Sequence, residues 1–383
     1  MKLIKADWLF DGKGDTPVAD GAVLVDGQNI VSAGPLASMD VPDGVETIDG
    51  ENLTLLPGLI DAHNHLSLDA SLPDYLERMS DPIAALTLRA AKSMASDLDA
   101  GITTVRCLGD KGFLDFECRR AVESGYLKGP RIVTSGKGIR SSAGHGFVGC
   151  PFDGPDQIRT AVRDNIRAGA DFIKFYVTGT LHGPGRIPCF FSRPEIALIA
   201  EEARRVGRPT AVHCIGGQGF AWCLEEGVNA IEHGFFLTDR EIDMLNESES
   251  WLVLTPGFYM SDERIRKLPK SAIAPHLNEQ AVAIQSMRAA IAAGVRFAVG
   301  TDGVHGPSGL SREVEYLVEL GAGVAQAIRA ATGNAAALCG IETTTGTLET
   351  GKIADVIGVR GNPFEDIKAL SRVKLVMAGG DLQ

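Results

Sequence analysis

Gly207-Arg208-Pro209-Thr210-Ala211-Val212-His213 starts on a glycine, passes through two linking residues and becomes a short apolar strand that ends on a histidine. The same cadence recurs along the chain. Gly101 precedes Thr103-Thr104-Val105, Gly169 precedes Phe172-Ile173-Lys174-Phe175, Gly227 precedes Ala230-Ile231-Glu232-His233, and Gly294 precedes Phe297-Ala298-Val299-Gly300. Each glycine closes an amphipathic helical stretch, where a residue free to take positive φ ends the helix. Helices alternating with apolar strands predict parallel βα units. Two helix starts, Ser192-Arg193-Pro194-Glu195 and Thr238-Asp239-Arg240-Glu241, have capping-box chemistry and keep the same phase. Strands are expected near 57–63, 103–106, 131–136, 172–178, 210–214, 230–233, 251–255 and 297–301. Eight such strands predict an α/β fold of the (β/α)8 TIM-barrel type.

The two chain ends follow another pattern. Ala22-Val23-Leu24-Val25 alternates as a strand, with turn residues at Asp26-Gly27 and Asp43-Gly44, which predicts small antiparallel hairpins. Gly346 to Val356 resumes that pattern. Residues 1–55 and 341–383 are therefore expected to build one small β-sandwich domain, with the barrel inserted between them over residues 56–340.

Chemistry-bearing residues gather at the strand ends. His63 and His65 lie two apart in Leu56-Pro57-Gly58-Leu59-Ile60-Asp61-Ala62-His63-Asn64-His65, so an extended chain turns both imidazoles to one face. Lys174, His213, His233 and Asp302 end later apolar runs. Taken singly, each has an ordinary structural reading: a bonded core histidine, a strand-end ion pair or Schiff-base lysine, a helix-capping aspartate. Their joint placement at the C-terminal ends of barrel strands, where catalytic groups collect, points instead to a metal site.

Composition narrows the partners. A 383-residue chain with 44% apolar residues can bury a large core, and its net charge of -12 disfavours nucleic acid and anionic membranes as partners. The N-terminal Met1-Lys2-Leu3-Ile4-Lys5-Ala6-Asp7 has charges where a signal peptide needs apolar residues, and no run reaches membrane-spanning length, so a cytoplasmic enzyme of small molecules is expected. Seven scattered cysteines without a Cys-x-x-Cys pair indicate neither a disulfide framework nor a cysteine zinc site. A homo-oligomer is compatible with the sequence.

The segment Pro57 to His65, Lys174 in a fourth strand, His213 in a fifth, Ile231-Glu232-His233-Gly234 and Gly300-Thr301-Asp302-Gly303 together resemble the amidohydrolase superfamily. The Gly-x-Leu-x-x-Gly-Lys-x-Ala-Asp stretch from Gly346 and Gly361-Asn362-Pro363-Phe364-Glu365-Asp366-Ile367 extend the resemblance over the whole chain. It is most similar to the imidazolonepropionase-like and prolidase-like dipeptidase branch, through Gly144-His145-Gly146 and the stretch from Thr178 to Arg193.

That resemblance implies two divalent metal ions, with His63, His65 and Asp302 on the more buried one and His213 and His233 on the other. Lys174 would bridge them as a carbamate formed with carbon dioxide, because a lysine desolvated among Phe172, Ile173 and Phe175 gives up its proton readily. Zinc suits such donors. A water shared by two cations has its pKa lowered from about 15.7 toward 7. Asp302 would then move its proton to a departing nitrogen, which is hydrolysis of an amide in a small dipeptide or N-acyl amino acid. His145 is the second expected catalytic residue, donating to a carbonyl or carboxylate oxygen, and Tyr176, Arg140 and Arg186 are expected to hold substrate. Tyr259, His182 and His305 lie in candidate mouth loops. A cyclic-amide hydrolase or deaminase shares much of this pattern, although the strand-four lysine favours two metals over one. A non-catalytic scaffold is disfavoured by the intact ligand set.

Overall fold

The structure is a computed structural model that describes residues 1–70, 72, 74–146, 148–179, 187–268, 270–306 and 308–383. Four strands open the chain: β1 (Lys2–Leu9), β2 (Val18–Asp26), β3 (Asn29–Pro35) and β4 (Glu46–Pro57). The parallel strands follow as β5 (Leu59–Asn64), β6 (Ile102–Cys107), β7 (Arg131–Thr134), β8 (Ile139–Arg140), β9 (Cys150–Pro151), β10 (Ile173–Tyr176), β11 (Thr210–Cys214), β12 (Ala230–His233), β13 (Trp251–Leu254) and β14 (Phe297–Val299). The chain ends with β15 (Val356–Arg360), β16 (Val373–Ala378) and β17 (Asp381–Leu382). Helices separate the parallel strands except in the run β7-β8-β9, and a strand stands at each of the eight expected places.

Those strands form an α/β fold whose larger parallel sheet has seven strands in the order β14-β13-β12-β11-β10-β8-β9, beside a second parallel sheet, β5-β6-β7. The chain does not run directly from β7 into β10's neighbour. Gly136, at φ 70°, breaks the strand after Thr134, and the short β8 takes up pairing with β10. The sheets meet at two seams. The amides of Thr301 and Asp302 donate to the His63 carbonyl at 3.1 and 2.8 Å, and the amide of Asp171 donates to the Thr134 carbonyl at 2.8 Å. Close approach at the first seam requires glycine, since a Cβ on Gly300 would stand 2.2 Å from the His63 nitrogen.

Strand periodicity sorts side chains between two cores. Val212 and Cys214 pack into the large cluster beneath the helices, whereas Ala211 joins Ile60, Ala62, Val133, Phe172, Ala230, Val253 and Ala298 in an inner cluster. The helices end as their sequences dictate. Helix Gly154–Ala168 stops at Gly169, φ 97°. At the Ser192 and Thr238 starts the carboxylates of Glu195 and Glu241 each accept from the capping residue's amide at 2.8 Å.

The ends of the chain share one seven-stranded sheet, ordered β17-β16-β15-β4-β1-β2-β3. The Asp26-Gly27 turn closes the β2–β3 hairpin, as expected. The Asp43-Gly44 turn closes none, because β4 runs parallel to β1. The intervening chain must cross the sheet to do so, and it buries Leu36, Met39, Val41 and Val45 against Leu3, Ala22 and Leu24 on the way. Asp355, just before β15, ties this sheet to the parallel strands: it accepts from Arg131 at 2.9 Å and Thr345 at 2.8 Å, and its carbonyl accepts from the Gly58 amide at 2.8 Å. Among the described residues no helix is long and apolar enough to cross a membrane.

Candidate active site

All the parallel strands point their C-terminal ends the same way, so β5, β10, β11, β12 and the residues after β14 deliver His63, Lys174, His213, His233 and Asp302 to one region. His65 follows immediately after β5. The imidazoles form a chain of tilted and edge-on contacts: ring centroids of His63 and His65 are 5.4 Å apart, His63 and His233 4.7 Å, His233 and His213 4.5 Å, and His213 and His145 4.6 Å. An Asp302 oxygen lies 3.4 Å from Nε2 of His63 and 3.5 Å from Nε2 of His65. One ligand atom from each of His63, His233 and Asp302 falls within 4.8 Å of the others.

Two of these residues hold backbone conformations that side-chain-bearing residues rarely adopt. His233 has φ 79° and Asp302 φ 47°. Such strain persists only where surrounding contacts over-determine it, and it concentrates at functional sites. The hydrogen bond that the Asp302 amide donates to the His63 carbonyl is one such contact.

The donor chemistry fits cations. Among the described residues, Nζ of Lys174 and Nε2 of His233 are buried without a hydrogen-bond partner, an expensive arrangement unless something else occupies their reach. The other ring nitrogens are committed elsewhere: Nδ1 of His63 lies 2.8 Å from Glu232, Nδ1 of His65 2.7 Å from the Gly109 carbonyl, and Nδ1 of His233 2.8 Å from the Thr255 hydroxyl. Fixing one nitrogen leaves the other free to coordinate. Burial pulls His65 down to about 4 and holds His213 and His233 well below the ordinary histidine range, so these rings are neutral at neutral pH, the form in which an imidazole can coordinate a metal. Burial also lowers Lys174 to about 8, against the opposing pull of Glu232 and Asp302. Desolvation would raise Asp302, but His63 and His65 outweigh it and keep the carboxylate ionised.

A cavity of about 260 Å³ opens above this cluster, lined by His63, His65, His145, Tyr176, His213 and Asp302 among others. His145 reaches it as expected, and the glycine loop explains how. A Cβ on Gly146, which has φ 110°, would stand 2.8 Å from the Tyr176 ring, and one on Gly138 would stand 2.7 Å from it. The loop can therefore fold over that ring and lay His145 beside His213. Burial lowers His145 to about 4. Tyr176 reaches the cavity too, but its hydroxyl donates to the Leu108 carbonyl at 3.3 Å, so it presents a ring rather than a free donor. That ring faces Lys174, whose Nζ is 4.9 Å from its centroid.

Arg140 does not line the cavity. Its Nη1 donates to the carbonyls of Ser141, Ser142 and Gly144 at 3.1 to 3.4 Å, so it braces the His145 loop from behind. Tyr259 bonds Glu279 at 3.0 Å, and His305 lies 3.3 Å from Glu313. Arg186 and His182 lie outside the described residues.

Three residues that sequence reasoning passed over support the site. Glu232 bridges His63 to Arg106, whose Nη1 is 2.9 Å away. Desolvation raises its carboxyl, but Arg106 and His63 prevail and bring it to about 2. Asp61 accepts from the amide of His63 at 3.1 Å and from the amide and hydroxyl of Thr301 at 3.0 and 2.7 Å, joining the two seam strands. The usable signal was a carboxylate inside an otherwise apolar strand, immediately before or two residues before a ligand histidine. Arg264, the third, lines the cavity from the helix Asp262–Lys267, whose charged sequence reads as an exposed surface turn.

Residues 54–382 match the model of the amidohydrolase family. The chain is 30% identical to ochratoxinase of Aspergillus niger, with 98% of this chain and 84% of that protein aligned. It is 26% identical to imidazolonepropionase of Sphingopyxis alaskensis over 91% and 88% of the two chains. Its fold superimposes with a TM-score of 0.89 on an Xaa-Pro dipeptidase with methionine bound in the active site, at 31% identity and covering 100% and 99% of the two chains. The chain belongs to the amidohydrolase family, on its imidazolonepropionase- and prolidase-like branch, and is a hydrolase of carbon–nitrogen bonds.

Proposed function

We propose that this chain is a binuclear, metal-dependent hydrolase that cleaves the amide bond of a small dipeptide or N-acyl amino acid. The observation that carries the reading is the convergence of His63, His65, Lys174, His213, His233 and Asp302 beneath one cavity, with Lys174 Nζ and His233 Nε2 buried and, among the described residues, unpartnered. The relatives named ochratoxinase and Xaa-Pro dipeptidase support an amide substrate.

The framework is read as a (β/α)8 barrel over residues 56–340, with residues 1–55 and 341–383 as a small β domain. Its support is the two-seam contact between the parallel sheets and the inner cluster, which draws on β5, β7, β11, β12, β13 and β14. His63, His65 and Asp302 would hold one divalent cation and His213 and His233 a second. Lys174, carbamylated by carbon dioxide, would offer oxygen donors to both. Zinc suits these nitrogen and oxygen donors. When bound, the cations supply Lewis acidity toward a carbonyl oxygen and a lowered pKa for water.

The chain's own residues do the rest. Asp302 takes the proton of the attacking water and passes it to the leaving nitrogen. His145, on a loop braced by Arg140, donates to a substrate oxygen and orients the amide. Tyr176 and its neighbouring apolar side chains exclude water from the floor of the cavity. The test is a screen of N-acyl amino acids, dipeptides and small lactams against protein loaded with zinc and bicarbonate, with turnover of open-chain amides expected. Turnover confined to lactams or to exocyclic amines would replace this reading with the cyclic-amide or deaminase one.

A further inference from the structure

We propose that Arg264 anchors a free carboxylate on the amine-side half of the substrate, an inference that rests on the amide-hydrolase reading above and names its substrate class. Arg264 sits in the short helix Asp262–Lys267, which is capped by the Ser261 hydroxyl accepting from the Arg264 amide at 3.2 Å. Its side chain folds back over Phe258, with Cζ 3.7 Å from the ring centroid and Nη1 3.3 Å from the Phe258 carbonyl. This places the guanidinium in the wall of the same cavity that His63, His65 and Asp302 line.

The group is partly buried and, among the described residues, no carboxylate lies within ion-pair distance of it. Its neighbour Lys267, by contrast, pairs with Glu263 at 2.8 Å. Burial lowers the Arg264 pKa, while Tyr75, Asp302 and Tyr259 pull the other way. A desolvated cation without a counter-ion is costly, and stacking on Phe258 offsets only part of that cost. A bound carboxylate would complete the arrangement, because the guanidinium fork donates to two oxygens in a plane and one face is already fixed by the ring. Much of the remaining wall is apolar, including Leu68, Met79, Val148 and Val304, which strengthens a charge pair made there and leaves room for an apolar side chain.

The half of the substrate follows from Asp302. The leaving nitrogen must lie beside the carboxylate that protonates it, and Arg264 lies in the chain between β13 and β14, at the end of the sheet where β14 delivers Asp302, whereas β8 and β9, which flank His145, are at the other end. His145 stands on the opposite side of the histidine chain, against His213 and Tyr176, where it faces the acyl half. A substrate laid across the cavity thus has its amine-side carboxylate at Arg264, as in an N-acyl amino acid or the C-terminal residue of a dipeptide.

The experiment uses the full chain and two sets of probes: N-acetyl derivatives of L-alanine, L-leucine, L-methionine, L-phenylalanine and L-proline, and the matching primary carboxamides. Binding is measured by calorimetry on metal-free protein, which does not turn them over, and kcat/KM on protein loaded with zinc and bicarbonate. The expected result is at least tenfold tighter binding of the best acid than of its carboxamide by the parent, loss of that difference in Arg264→Gln, and partial retention in Arg264→Lys. Equal binding of acid and carboxamide by the parent, or an unchanged preference in both variants that retain the parent's melting temperature, overturns the assignment. Failure of the amide-hydrolase reading has a separate signature: the loaded parent would cleave neither acids nor carboxamides, whatever their binding.

Discussion

Nδ1 of His63 lies 2.8 Å from the Glu232 carboxylate, and the second oxygen of that carboxylate lies 2.9 Å from Arg106. Two buried side chains, from β6 and β12, thereby fix the imidazole that β5 carries, leaving its Nε2 turned toward Asp302. A carboxylate behind a ligand histidine selects its tautomer and raises its basicity.

Glu232→Gln is accordingly expected to weaken metal binding by about 10- to 100-fold while leaving the fold intact. Glu232→Ala should do more, because Gln keeps an oxygen acceptor for Arg106 whereas Ala leaves that buried cation with neither counter-charge nor acceptor there, a loss on the scale of about 3–5 kcal/mol. Metal competition titrations and denaturant unfolding separate the two effects. A Glu232→Gln protein with the parent's metal affinity would show that the contact does not tune His63.

Asp302→Asn removes a proton acceptor but keeps the shape and the backbone hydrogen bond to the His63 carbonyl. Turnover should fall by about 100-fold or more, with a much smaller change in KM, as expected for a group acting in the chemical step. Steady-state kinetics at confirmed metal content decide the matter. Near-parental kcat would assign the proton transfer to another residue.

Asp97, which is hydrogen-bonded to Asn64 between His63 and His65, supplies a pH dependence from a group that is not itself a candidate ligand. Burial raises its carboxyl from 3.8 to about 7, against the lowering effect of the Ser308 amide that it accepts at 2.8 Å. The folded state therefore retains a proton that the unfolded chain releases between about pH 4 and 7, so this group's contribution to stability is greatest below pH 4 and falls as pH rises through 7. Asp97→Asn keeps an acceptor for Ser308 and cannot ionise. It should match the parent at pH 4 and exceed it at pH 8, by about 1.4 kcal/mol for each unit of the shift. Identical stability profiles for the two proteins from pH 4 to 8 would rule this out.

The parallel strands were legible because strand identity is local: an apolar run after a helix-ending glycine needs no distant partner to be recognised. Histidines at the ends of such runs were legible for the same reason. What escaped notice depends on contacts between remote residues. Glu232 acts through a residue 169 positions away, and Asp61 through Thr301, 240 positions away. The Tyr176 ring lies where strand phase puts it, yet the bond from its hydroxyl to Leu108 follows only from the folded loop. Arg140 illustrates the converse, since a cation near a glycine loop reads as a ligand anchor until the loop's own carbonyls are seen to occupy it. The parallel pairing of β4 with β1 was hidden because a turn sequence says that the chain reverses, not which strand it then joins.

The central claim is that Lys174 joins two histidine pairs into one binuclear centre. Its most direct test is elemental analysis of the full chain prepared with zinc and bicarbonate, paired with mass analysis of the peptide containing Lys174 under conditions that preserve carbamates. Two zinc ions per chain and a Lys174 heavier by one carbon dioxide are predicted, with the count falling in Lys174→Ala. A reproducible stoichiometry of one, with Lys174 unmodified, would contradict the account.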